Sequence, residues 1–274
     1  MRLVNYKSLE TTQGNLLLVY GMGGVGKTAT TIQTCDDPVV YLTAEGRKIF
    51  TSMAAIARPD LRMKVGVYEG FNDLIETCTN LEKFEGAKTV FLDSLTHLMT
   101  VHLAQEILSE NFNSKSGKEQ DEIAKALTMQ VKMSVEAYGV LSGQMTRLMR
   151  SLQGLTMAGY DVVCSARSDD RPKWNRALSN GPALMGKEFS KSMDGFFDFI
   201  CMLEPDERDD DQRGDPPPIG AQRKDIWKYY APYASFNPND DYLAKYTGAM
   251  PPAGVVRRKF HVSKLFKEAN GIFK

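Results

Sequence analysis

Residues 21–28 read GMGGVGKT and fit GxxxxGK[ST] at every fixed position. That spacing is built to hold phosphate. Glycines at Gly21, Gly23, Gly24 and Gly26 let backbone N–H groups converge on phosphate oxygens with no Cβ in the way. Val25 and Ala29 complete the loop and the first turn of the helix that follows, whose N-terminus adds partial positive charge. Lys27 would reach the β- and γ-phosphates of a nucleoside triphosphate, and the Thr28 hydroxyl would bind Mg²⁺.

Two carboxylates complement the loop. Residues 89–94, TVFLDS, form an apolar run that ends in Asp93, placed to hold Mg²⁺ at a strand tip. Ser94 and Leu95 follow, so no second acid stands there to activate water. Residues 39–46, VVYLTAEG, put Glu45 at the tip of another expected strand, the best-placed general base. No arginine lies near the loop along the chain, the closest being Arg47. Charge developing on the γ-phosphate still needs a cation beyond Lys27 and Mg²⁺.

These residues need a sheet to bring them together. Residues 15–20 are a short apolar run between Gly14 and Gly21, as in a strand buried on both faces. Similar runs recur at Val39–Leu42, Lys64–Tyr68, Thr89–Leu92, Asp161–Ser165 and Phe197–Leu203. Helical patterns such as Phe71–Phe84 and Met145–Met157 lie between them. Alternation of strand and helix predicts an α/β fold with a mostly parallel sheet flanked by helices. Residues 102–140 read as a polar helical insertion, with a breaker at 113–118. His97 and His102 fall on the helix after Asp93.

The chain has 274 residues, 42% hydrophobic and 25% charged, which suits a globular protein with a full core. Its 34 Lys+Arg balance 34 Asp+Glu, arguing against a polybasic protein but not against a local basic site. The balance hides a local asymmetry. Residues 204–218 hold seven acids, two arginines and three consecutive prolines, the composition of an exposed loop. Residues 221–274 hold ten Lys/Arg against four Asp/Glu. A core over 1–204 and an extension over 205–274 packed on it are the expected domains. No apolar run is long enough to span a membrane, and the start lacks a signal-peptide core. Cys35, Cys78, Cys164 and Cys201 show no metal-ligand spacing and read as buried thiols of a cytoplasmic protein. The 14 methionines read as core gap-fillers rather than a cofactor box.

The combination GMGGVGKT, TAEG and VFLDSLTHL resembles a RecA-like P-loop ATPase core, and TAEG is similar to the segment that bears the catalytic glutamate there. With DVVCSAR, MGKEFSKSMDGFFDFICML and LAKYTGAMPP, the chain resembles the phage-encoded AAA-domain and Sak-type single-strand-annealing ATPases over roughly residues 14–252. The resemblance implies ATP hydrolysis with Mg²⁺, a homo-oligomer, stimulation by single-stranded DNA, and a place in phage recombination, annealing or replication in the host cytoplasm. It implies Glu45 as the base and Ser165 or Arg167 as a sensor of the γ-phosphate. It further implies Lys245 as a cation given to the neighbouring subunit's site. Tyr246 stands where a second cation is usual, and Arg257, Arg258 or Lys259 could take its place. An alternative function is an ATPase that remodels or loads a protein partner without binding DNA.

Residues 168–195 carry Arg171, Lys173, Arg176, Lys187 and Lys191 with Trp174 among them. Cations for phosphates plus an aromatic for base stacking suit single-strand binding. Asp169, Asp170, Glu188 and Asp194 dilute that charge. The corresponding loop contacts DNA in RecA-like proteins, which makes Arg171, Lys173, Trp174 and Arg176 the candidate DNA-binding residues.

Overall fold

The computed structural model describes residues 13–44, 58, 60–113, 134–169, 181–204, 232–236, 243–247 and 257–270. Its strands are β1 (Leu16–Gly21), β2 (Val39–Thr43), β3 (Met63–Val67), β4 (Thr89–Asp93), β5 (Asp161–Asp169), β6 (Gly181–Pro182), β7 (Phe199–Glu204), β8 (Tyr233–Ser235), β9 (Lys245–Tyr246) and β10 (Arg257–Lys259). The main sheet runs β10-β8-β7-β1-β5-β4-β2-β3. The six strands from β7 to β3 in that order are mutually parallel. β8 and β9 pair antiparallel with successive parts of β7, and β10 pairs antiparallel with β8. The architecture is that of an α/β P-loop NTPase core, as the alternation of elements predicts.

Both faces of the sheet are apolar, so the strands read as continuous hydrophobic runs. Leu16, Leu18 and Tyr20 of β1 join Val90, Leu92, Val162 and Cys164 on one face. There they pack on helices α2 (Phe71–Thr79) and α5 (Val135–Met157). Leu17 and Val19 join Tyr41, Phe91 and Val163 on the other face, under α1 (Lys27–Thr34) and α7 (Val262–Ala269). The sequence pattern Phe71–Phe84 divides into α2 and a 3₁₀ turn, Leu81–Phe84, because Asn80 caps the turn by accepting from the Glu82 N–H.

A short turn α3 (Leu95–His97), a π-helical stretch (Leu98–Leu103) and α4 (Ala104–Asn113) follow β4. Leu103, Ala104, Ile107 and Ala137 are buried in the main core, so both described flanks of the 102–140 segment belong to core-packing helices. Residues 114–133 lie outside the described residues. The four cysteines are buried and form no disulfide among the described residues, and burial pushes the Cys35 and Cys78 thiols up to about 12. No helix among the described residues is long and apolar enough to cross a membrane.

The far end of α1 is tied down from several sides. Arg58 Nη1 donates to the carbonyls of Ile32 at 3.0 Å and Cys35 at 2.9 Å, which places a cation at the negative end of the helix. The Val262 N–H donates to Thr34 Oγ1 at 3.1 Å. Asp36 accepts from the Ser263 hydroxyl at 3.0 Å and pairs with Lys267 at 3.5 Å. At the entrance to β1, Asp161 Oδ1 accepts from the Asn15 backbone N–H at 2.9 Å, and Asp198 Oδ2 from that of Leu16 at 2.8 Å.

Candidate nucleotide site

The site forms where β1, β4 and β5 end. β1 runs directly into the loop and the loop into α1, so strand and helix fix both of its ends. Gly24 and Gly26 have φ of 82° and 92°, which L side chains rarely adopt. A Cβ at Gly23 or Gly24 would meet no protein atom within 4 Å, so the space above the loop is open to a ligand. Gly26 caps α1 without a side chain, leaving the first-turn N–H groups and the positive end of the helix facing that space. This cradle fits a polyphosphate.

Lys27 Nζ donates to the carbonyls of Gly21 and Met22, both at 2.8 Å. Burial lowers its pKa, the Asp93 carboxylate opposes that, and Arg167 adds to the lowering. Arg167 is the Cα register partner of Gly21 across the β1–β5 pair. This corrects the expectation that no arginine stands near the loop in cis. Arg167 is remote along the chain but adjacent across the sheet. A register relation between strands 146 residues apart leaves no trace in sequence spacing.

Asp93 is the centre of the site. Thr28 Oγ1 donates to Asp93 Oδ2 at 2.7 Å, and Tyr41 Oη donates to the same oxygen at 2.9 Å. Ser165 Oγ donates to Asp93 Oδ1. An ionised carboxylate accepts and never donates, so three hydroxyl donors suit it in that state. Thr28 and Asp93 thus present adjacent oxygens, the hard donor set that suits Mg²⁺. Ser165 is fully buried and hydrogen-bonds to the carboxylate, whereas Arg167 beside it is exposed. The Ser94 hydroxyl caps α3, accepting from the His97 N–H at 3.2 Å.

Glu45 lies outside the described residues. The chain reaches it from Thr43, the register partner of Asp93, and Ala44. Arg171, Lys173, Trp174 and Arg176 also lie outside them. The flanks of their segment pair as a hairpin, Ser168 with Pro182 and Asp169 with Gly181, beyond the end of β5 that borders the loop strand. Lys191 is described, on α6 (Lys187–Ser192).

Lys245 is not brought to its own chain's phosphate loop. It pairs with Ile200, whereas Gly21 pairs with Leu203. Three residues of strand, about 10 Å, therefore separate the two register levels. Its Nζ donates to the Asp194 carbonyl at 3.0 Å. The Tyr246 ring packs edge-on against Phe199 and Phe236, so at this position an aromatic core contact replaces a second cation. Of Arg257, Arg258 and Lys259, the backbone forms β10.

Sequence reasoning missed Tyr41. Its signal was a tyrosine inside an otherwise aliphatic buried strand, since a buried phenol needs a polar partner. The identity of that partner depends on the β2–β4 register.

A family model described as an AAA domain matches residues 13–247. No curated protein matches the chain. The matched span takes in the loop, Asp93, the β5–β6 hairpin and β9, and so the chain belongs to the AAA-domain family of P-loop ATPases.

Proposed function

We propose that this protein is a RecA-like ATPase that hydrolyses ATP while acting on single-stranded DNA, in phage-type recombination, annealing or replication. The loop glycines and first-turn N–H groups hold the phosphates, and Lys27 turns from the loop carbonyls to the β- and γ-phosphates. Thr28 and Asp93 would hold Mg²⁺, which when bound neutralises phosphate charge. Glu45 takes the proton of the attacking water as its oxygen bonds to the γ-phosphorus. The bond to the bridging oxygen then breaks, giving ADP and phosphate. Arg167 stands on the strand beside the loop, in place to respond to the γ-phosphate.

The observation that supports a DNA substrate is the course of β5. It borders β1 as far as the Gly21–Arg167 pair, then continues to Asp169, where Ser168 and Asp169 pair antiparallel with β6. The segment holding Arg171, Lys173, Trp174 and Arg176 thus hangs from the strand that senses the nucleotide. A conformational change at the phosphates has a direct mechanical route to it.

The test is salt-dependent binding of a labelled oligonucleotide with and without ATP. The protein should bind single strands, and replacing Lys173, Trp174 and Arg176 together should lower the log–log salt slope by roughly 0.7 per lost phosphate contact. ATP binding should not change. An unchanged slope, or no oligonucleotide binding by the natural sequence, would replace this function with remodelling of a protein partner.

A further inference from the structure

We propose that Tyr41 is a positioning residue for metal binding, holding the Asp93 carboxylate in the orientation that a Thr28-bound Mg²⁺ requires. The inference rests on the P-loop ATPase reading of the site.

The geometry follows from period-two alternation across three strands. Tyr41, Phe91 and Val163 share one core cluster, on the face covered by α1. Asp93 lies two residues beyond Phe91 and Ser165 two beyond Val163, so all of them point to that face. Tyr41 is the register partner of Phe91, which makes Asp93 its diagonal neighbour on β4. The Tyr41 ring packs on Phe91 with centroids 5.3 Å apart, and the length of the phenol carries its hydroxyl up to Asp93. Hydroxyls thus reach one carboxylate from the strand on each side and from the helix above.

The three donors are not equivalent. Thr28 Oγ1 must offer a lone pair to the metal, so its grip on Asp93 changes when the ion arrives. Ser165 holds only Oδ1. Tyr41 shares Oδ2 with Thr28 and has no metal to serve, so it remains as the fixed restraint on that oxygen. Its ring is 3% exposed and cannot swing away without opening the core. Preorganising the carboxylate lowers the ordering cost of metal binding, as supporting hydrogen bonds do around ligating carboxylates generally.

The experiment titrates Mg²⁺ into protein mixed with a fluorescent ADP analogue, for the natural sequence and for Tyr41→Phe. Nucleotide binding in excess EDTA and thermal unfolding are measured beside it. Removing one charge-assisted hydrogen bond should raise the half-saturating Mg²⁺ concentration about tenfold. Metal-free nucleotide affinity should stay close to that of the natural sequence, and Tm should fall only by the few degrees one hydrogen bond carries, whereas a merely structural role would weaken nucleotide binding with and without metal alike. Equal half-saturation in both proteins, or equal weakening with and without metal, would overturn the proposal. Should Tyr41→Phe not fold, Tyr41→Met, which also lacks the hydroxyl, is judged by the same criterion. A natural protein whose nucleotide binding ignores Mg²⁺ would remove the ATPase reading and this inference with it. A Mg²⁺-dependent natural protein beside an unchanged Tyr41→Phe would remove the inference alone.

Discussion

The strand tips around Asp93 and the edge formed by β8, β9 and β10 are built by opposite rules. At the tips, each polar side chain comes from a different element, and sheet register decides what the strand residues meet. Thr28, Tyr41 and Ser165 belong to α1, β2 and β5 and converge on one carboxylate. At the edge, strands of three, two and three residues lean on β7 and on one another. Lys245 there donates to the Asp194 carbonyl. The first region has its geometry set by the sheet interior. The second presents its cation at a sheet border, where a neighbouring molecule can reach it and where pairing is easily changed.

The sharpest way to break this contrast is Lys27→Ala. Lys27 is partly exposed and, among the described residues, hydrogen-bonds only to carbonyls of its own loop, so the fold should survive. Hydrolysis should fall on the order of 10³-fold, because a preorganised cation at the transferring phosphoryl group is lost. Normal turnover by this variant would strip the strand tips of their assigned chemistry.

A smaller effect sharpens the role of the edge. If Lys245 serves a neighbouring subunit, Lys245→Ala is nearly inactive, and mixing it with Lys27→Ala restores part of the hydrolysis. Some interfaces then join an intact loop to an intact Lys245. Specific activity should also rise with protein concentration. Concentration-independent turnover without rescue would assign the cis cation role to Arg167, which already stands beside Gly21.

The smallest effect concerns stability. His261 sits between β10 and α7 and accepts from the Lys264 N–H through Nδ1 at 3.3 Å. Burial, with Lys264 and Lys267 nearby, pushes its pKa down to about 4. Between about pH 6.5 and 4 the unfolded chain therefore binds the proton and the folded one does not, so stability falls as pH drops through that window. His261→Asn keeps a helix-capping acceptor and removes the titration. Its Tm should depend less on pH between 4 and 6.5 than that of the natural sequence. Equal slopes would place the acid sensitivity elsewhere.

Much of this was legible in the residues. The runs at 15–20 and 89–92 become β1 and β4 because a strand buried on both faces must be apolar throughout. The 21–28 spacing and the acid closing the 89–93 run are both read from local order along the chain. What escaped depends on lateral neighbours. Tyr41 matters through a partner on the adjacent strand, 52 residues away, and Arg167, already a sensor candidate in the sequence, is shown to stand beside Gly21 only by a register between residues 146 apart. The polar average of the 102–140 segment conceals the apolar residues at its described ends, where Leu103, Ala104, Ile107 and Ala137 are buried in the main core.

The ties on the far end of α1 redraw the boundary of the working unit. An eight-residue helix is too short to keep its shape in water unaided. The hydrogen bonds from Val262 to Thr34 and from Ser263 to Asp36 join α7 to that helix. The matched family segment ends at residue 247, short of α7. The structural unit that supports the phosphate loop is therefore longer than the segment the family model matches. A version cut back to the matched segment would keep the loop, Thr28, Asp93 and the Arg58 tie, yet lose the ties from α7 to the helix behind the phosphate loop.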